Sequence, residues 1–222
     1  MMEPITLVIA TRNRAKSSEI LALLHGFPVE VKDVADFGPI PEPREDGQTF
    51  EENAYKKALF TARVLGLPAL ADDSGLEVEA LGGAPGVHSA RYAGCQATDE
   101  DNNRKLLQAM KGQTHRKARF VCVLSLAVPM GPALTYEATC EGEITTEPRG
   151  RFGFGYDPVF YYPPAGKTFA EMTPEEKAAV SHRGRALREL RDEFHKVLVW
   201  LRQRLAEEKK FLSEGICMHE PT

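Results

Sequence analysis

Three features of the sequence predict an α/β or α+β fold on a mixed sheet. Residues 5–10 (ITLVIA) are β-rich and lead through a polar turn into a helical pattern, the way a parallel βα unit begins. Residues 118–128 and 133–145 read as two strands joined across Pro129, Gly131 and Pro132, a hairpin signal that implies antiparallel pairing. The last long segment places Leu187, Leu190, Phe194, Val197, Leu198, Leu201 and Leu205 at helical spacing. Parallel units at the start and a hairpin in the middle make the sheet mixed.

The elements follow in order. The first strand stops at Thr11, and residues 13–24 form a helix whose apolar part is Ile20, Leu21, Leu23 and Leu24. Residues 29–34 read as a second strand. Pro39, Pro41 and Pro43 then keep the following loop out of regular structure. Thr49 caps a helix that runs to about Leu65 and is ended by Gly66 and Pro68. The apolar run Leu67, Ala69, Leu70, Ala71 predicts a strand ending in Asp72-Asp73-Ser74-Gly75, with its carboxylates at the rim of the sheet and a glycine-rich loop beyond. Residues 98–110 form a helix. Thr173-Pro174-Glu175-Glu176 is a capping box with proline at the first helical position, and the final helix starts near Ser181. Residues 1–206 are expected to form a single domain, with 207–222 a flexible polar tail.

Bulk properties narrow the function. Among 222 residues, 42% apolar and 27% charged content is globular, which disfavours disordered and fibrous classes. A formal charge of −4 supplies no basic field for duplex nucleic acid, although free nucleotides need only a local cluster of cations. Apolar runs such as residues 121–128 are too short to span a bilayer. The chain opens directly into a strand, with no charged-then-apolar leader, so a cytoplasmic location is expected. Cys95, Cys122, Cys140 and Cys217 make no CxxC pair, which favours reduced thiols over a zinc site.

Asp72-Asp73-Ser74 offers hard oxygen ligands of the kind that suit Mg²⁺ and phosphate chemistry. Three segments carry cations where helix N-termini disfavour them, by about 0.3–1 kcal/mol each: Lys16, Lys177, and His182 with Arg183. Either an anion occupies the space these termini face, or the side chains reach water or pair with acids. Lys57 falls on the same helix face as Phe50, Ala54, Ala58, Thr61 and Leu65, one turn after Asn53. It either follows its own stem outward or lines a cleft with Asn53. Residues 151–160 (RFGFGYDPVF) alternate aromatics with Gly153 and Gly155, as core packing or as a flat pocket for a base. Asp157 precedes Pro158 and is held extended.

Together, TRNRAK, EDGQTFEENAYKKA, ADDSGLEVEALGGAPGVHSARYAG, FGFGYDPVF and EEKAAVSHRGRAL resemble, in that order, the noncanonical purine nucleoside triphosphate pyrophosphatases, the inosine and xanthosine triphosphate pyrophosphatase family. The likeness runs from about residue 5 to 190. It implies a two-lobed α/β fold with an elongated mixed β-sheet flanked by helices, a nucleotide cleft between the lobes, and a homodimer. It also implies Mg²⁺-dependent hydrolysis of ITP, dITP and XTP to the monophosphate and pyrophosphate. By the same matching, Thr11, Arg12, Asn13, Arg14, Ala15, Lys16 and Lys57 bind the triphosphate. Asp73 is metal ligand or the base that orients water, and Ser74 contacts substrate. Phe154, Gly155, Tyr156 and Asp157 hold the base, with Phe154 stacking, while Lys177, His182 and Arg183 contact the base edge and the ribose or phosphates. The run Glu42-Pro43-Arg44-Glu45-Asp46-Gly47 departs from the pattern at Arg44, where an acid is usual. Glu45 is taken as the second metal ligand, with Asp46 and Glu42 as alternatives.

Overall fold

The structure is a computed structural model and describes the backbone of residues 4–216, and their side chains except at 14, 15 and 214–216. Among the described residues the strands form one seven-stranded mixed sheet, in the order β2-β1-β3-β4-β5-β6-β7. Strands β1 (Ile5–Ile9) and β2 (Val29–Asp33) pair in parallel around α1 (Arg14–Leu24). Strand β3 (Ala69–Val78) runs parallel to β1 and antiparallel to β4 (Lys117–Ala127). The predicted hairpin is β4 with β5 (Ala133–Ile144), and the short strands β6 (Phe160–Tyr162) and β7 (Lys167–Thr168) complete the sheet.

Helix α2 (Phe50–Leu65) begins where the Thr49 side chain accepts the Glu52 N–H at 3.1 Å and ends at Gly66 in the left-handed conformation, φ 65°. Its Ala58 and Ala62 pack against Val8, Ala69 and Ala71 on one face of the sheet; small side chains there bring the helix close to the strands. Helix α5 (His182–Ile216) and α1 cover the other face, where Ile20, Leu24, Phe194 and Leu198 meet Leu7, Ile9, Leu70 and Leu124. A second core lies toward the β6 end, built from Leu76, Phe120, Phe160 and Phe169 with Leu106 of α3 (Asp99–Ala109). Apolar clusters at the two ends of one continuous sheet give the two lobes. Helix α4 (Pro174–Val180) begins with the predicted capping box at Thr173 and turns directly into α5 at Ser181.

The strand carrying the acidic pair is longer than the sequence indicates. It does not end at Gly75 but runs to Val78, paired with β4 along its whole length. Its other edge differs. The register with β1 covers Ala69 and Leu70, and from Ala71 onward no strand lies along that edge among the described residues. Asp72 and Asp73 therefore sit in mid-strand beside an open edge rather than at the end of a strand. Charge and glycine read as a turn in the sequence; pairing with β4 overrides that preference. Gly75 has a packing reason, since a Cβ there would come within 2.7 Å of both the Gly86 carbonyl and the Phe50 ring. Helix α5 also continues past Glu207 to Ile216 through good helix formers (Glu207, Glu208, Lys209, Lys210), where a tail is expected; residues 217–222 lie outside the described residues.

Candidate active site

At the open edge of β3, between the lobes, lies a cavity of about 810 Å³. Alternation along the strand sends Asp72 and Ser74 toward α1 and α5, and Asp73 toward α2. The cavity wraps around the edge and is lined by all three.

Asp72 is the hub on the α1 and α5 side. Its side chain is fully buried and is ion-paired with Lys16 from α1 and, at 2.9 Å, with Arg183 Nε from α5. Ser74 Oγ donates to it at 3.0 Å, and the Cys122 thiol at 3.2 Å. Burial works to raise the Asp72 carboxyl, but Arg183 and Lys16 outweigh it and hold the group well below the usual carboxylate value. Arg183 is itself buried and reaches on to Glu19 at 3.2 Å. On the other face, Lys57 Nζ lies 2.6 Å from Asp73 Oδ1 and 3.4 Å from Glu45 Oε1. Burial lifts the Asp73 carboxyl above its usual value against the pull of Lys57. Lys57 stays charged: burial opposes its proton, but Asp73 and Glu45 raise the ammonium above its ordinary value.

The aromatic segment forms a third wall. Asp157 is buried, ion-paired with Lys177, and accepts the Phe154 N–H at 2.9 Å. Its carboxyl is raised by burial, with Lys177 pulling the other way. Lys177 Nζ stands 4.7 Å from the Phe154 ring centroid and Arg183 Cζ stands 5.6 Å from it. His182 stacks on Phe120, centroids 4.6 Å apart, and its Nδ1 is buried without a hydrogen-bond partner among the described residues. Burial, then Arg183 and Lys177, push this imidazole well below its ordinary value, so it is neutral at pH 7.

The residues expected at the site converge. Thr11, Arg12, Asn13, Lys16, Glu45, Lys57, Asp73, Ser74, Phe154, Gly155, Tyr156, Asp157, Lys177, His182 and Arg183 all line this cavity. The side chains of Arg14 and Ala15 lie outside the described residues. Of the two readings open for the misplaced cations, Lys16, Lys177 and Arg183 pair with acids, and those pairs line the cavity. Lys57 lines the cleft, whereas Asn53 is buried behind it and accepts the Gly47 N–H at 2.8 Å. The Tyr156 ring belongs to the second core and its hydroxyl donates to the Ser89 carbonyl at 2.9 Å, so it props the aromatic loop from below.

Sequence reasoning missed Asp72 as the hub, and with it Glu19, Asp99 and Arg91. Asp99 accepts the Gly155 N–H at 2.7 Å, and Arg91 holds Glu45 at 3.3 Å. Arg91 lay within a quoted motif; Glu19 and Asp99 read as ordinary surface acids.

Among the described residues, no three His, Cys, Asp or Glu side chains converge closely enough to hold a metal by themselves. Asp73 and Glu45 nonetheless converge on a single cationic point, now the Lys57 ammonium. Two hard carboxylates at the wall of an open cavity suit a hard divalent cation.

The Ham1 family model matches residues 7–193, a span that contains every residue lining this cavity. The chain belongs to the Ham1 family. A relative from Syntrophobacter fumaroxidans, named a dITP/XTP pyrophosphatase, is 72% identical over 93% of this chain and 89% of its own length. Another dITP/XTP pyrophosphatase, from Desulfotalea psychrophila, is 57% identical over 91% of each chain. The solved HAM1 protein of Coxiella burnetii superposes with a TM-score of 0.82 at 43% identity, covering 86% of this chain and 99% of that one. Membership of the Ham1 family accounts for the two-lobed α/β fold and for the joint order of the five motifs along the chain.

Proposed function

We propose that this chain hydrolyses noncanonical purine nucleoside triphosphates (dITP, XTP and ITP) to the monophosphate and pyrophosphate, clearing them from the nucleotide pool. The observation that carries this reading is the meeting of Lys16, Lys57, Asp73 and the Phe154 loop around one cavity at the open edge of β3. The names of the two bacterial relatives support the same substrate class.

Asp73 is the base. Its burial makes it more basic than an ordinary aspartate, so it is the better placed of the two to accept a proton from an attacking water, whereas Asp72 is held ionised by Arg183 and Lys16 and serves as a fixed anchor. Lys16 and Lys57 neutralise phosphate oxygens, and Thr11 to Asn13 present the turn that receives them, with Arg14 and Ala15 beside it. Phe154 stacks on the base. Lys177, Arg183 and the neutral His182 present N–H donors suited to a 6-oxo purine. Adenine would leave such donors facing its 6-amino group, at about 1–3 kcal/mol for each buried donor left unpaired.

Asp73 and Glu45 are the residues that would hold Mg²⁺, which when bound supplies charge neutralisation along the triphosphate. The cavity itself leaves that need unmet. Among the described residues six cations line it (Arg12, Lys16, Lys57, Arg91, Lys177, Arg183) against six carboxylates (Glu42, Glu45, Asp72, Asp73, Asp99, Asp157), so these side chains supply no surplus positive charge for a polyphosphate. A homodimer and a cytoplasmic location complete the reading, supported by the family resemblance; no helix among the described residues is long and apolar enough to cross a membrane. The test is a panel of dITP, XTP, ITP, GTP, ATP and dUTP with and without Mg²⁺, measuring pyrophosphate against orthophosphate. Release of orthophosphate, or a preference for dUTP, would overturn the proposal.

A further inference from the structure

Arg91 grips Glu45 at two points. Its Nη1 donates to the Glu45 carboxylate at 3.3 Å and its Nη2 to the Glu45 backbone carbonyl at 3.2 Å. Glu45 lies in residues 38–48, a stretch with neither helix nor strand, in which three prolines remove backbone donors. Side chains therefore have to fix its place over the cavity. Arg12 holds one end through Glu42 and, at 2.9 Å, the Ile40 carbonyl, while Lys56 holds Asp46 at 2.7 Å. Lys57 also approaches Glu45, at 3.4 Å, but its shorter bond is to Asp73.

Arg91 is well seated for such a task. It ends a short 3-10 turn, Gly86–Arg91, that is pinned to the sheet by Ser89. The Ser89 hydroxyl accepts the Leu76 N–H at 2.9 Å and donates to the Gly86 carbonyl at 2.6 Å. Gly75, lacking a Cβ, lets this turn lie directly on β3. The order of support runs from strand to turn, from turn to Arg91, and from Arg91 to Glu45.

We infer that Arg91 is a positioning residue that fixes Glu45, side chain and backbone together, beside Lys57 and Asp73, resting on the metal-binding role given to Glu45 above. A planar guanidinium fork holds a carboxylate and a carbonyl through two separate nitrogens in fixed geometry, whereas an ammonium offers its donors from one flexible point. Contact between Arg91 and phosphate is the rival role, and a double-mutant cycle separates the two.

The experiment compares full-length wild type with Arg91→Ala, Arg91→Lys, Glu45→Ala and the double Arg91→Ala/Glu45→Ala variant. Readouts are hydrogen exchange of the amides in residues 44–48 and steady-state turnover of whichever triphosphate the wild type cleaves best. Arg91→Ala is expected to speed exchange there about tenfold and to lower kcat about 10–100-fold with little change in KM. Arg91→Lys restores neither in full, and the double variant turns over at the Glu45→Ala rate. Losses that multiply in the double variant, or unchanged exchange in Arg91→Ala, overturn the role. Because exchange is read without substrate, it still tests the link between Arg91 and Glu45 if the proposed substrates prove wrong.

Discussion

Asp72 and Asp73 are one position apart on β3 and point to opposite faces of the sheet, which separates their chemistry. Asp73, the more basic group beside Lys57, is the one whose amide should stop turnover. Asp73→Asn is expected to lower kcat about 10²–10⁴-fold while binding of a non-hydrolysable dITP analogue changes a few-fold at most; pyrophosphate release at wild-type rate would remove its role as base. Asp72→Asn should act on stability instead. It leaves Arg183 and Lys16 without their buried anion, a loss of about 3–5 kcal/mol, read as a fall in Tm on the order of 10 °C. The pH dependence has a definite sign. The folded Asp72 carboxyl lies below its ordinary value of 3.8, so its contribution is present above pH 3.8 and is lost as pH falls through the folded value. The variant should therefore have a flatter acid limb in a plot of Tm against pH; an unchanged acid limb would show that Asp72 does not carry it. The sequence displayed the acidic pair plainly. Which acid anchors and which reacts depends on strand parity and on helices distant in the chain, and neither is local information.

At the scale of elements, the turn between α4 and α5 sets three cationic or imidazole side chains at once: Lys177, His182 and Arg183. Gly184 makes the turn tight, because a Cβ there would collide with the Ala178 carbonyl, and its N–H donates to Ser181 Oγ at 3.1 Å. Gly184→Ala is expected to cost about 1–3 kcal/mol by overpacking and to raise KM by pushing Lys177 and Arg183 out of register around Phe154. Melting and kinetics measured together check it, and an unchanged KM alongside a lowered Tm would confine the effect to stability. Both helices were legible in the sequence, since the capping box at Thr173 and the apolar spacing of α5 are local signals. Helix α2 was legible for the same reason, from Thr49 to Gly66. The full length of β3 was not, because its continuation past Gly75 through Leu76, Glu77 and Val78 depends on partners in β4 some forty residues away.

The whole molecule presents a cleft whose charges are already paired before any ligand arrives. Lys16 and Arg183 are matched by Asp72, Lys57 by Asp73, and Lys177 by Asp157. The sequence showed the cations as misplaced; their carboxylate partners emerged once α1, α2, α4 and α5 were brought around one sheet edge. An arrangement of this kind binds a triphosphate well when additional positive charge enters with it, and poorly otherwise. At a nucleotide concentration 100 times Kd, binding adds about 2.7 kcal/mol of stability, or roughly 5–10 °C in Tm for a chain of this size. That shift is expected for wild type with Mg²⁺ and a non-hydrolysable dITP analogue, which blocks turnover without altering Asp73. In EDTA at the same nucleotide concentration most of it should vanish, while dIMP, with fewer charges to neutralise, should respond less to the metal. Equal shifts for the triphosphate with and without Mg²⁺ would mean that the lysines and arginines neutralise the phosphates unaided, with their carboxylate partners turned away.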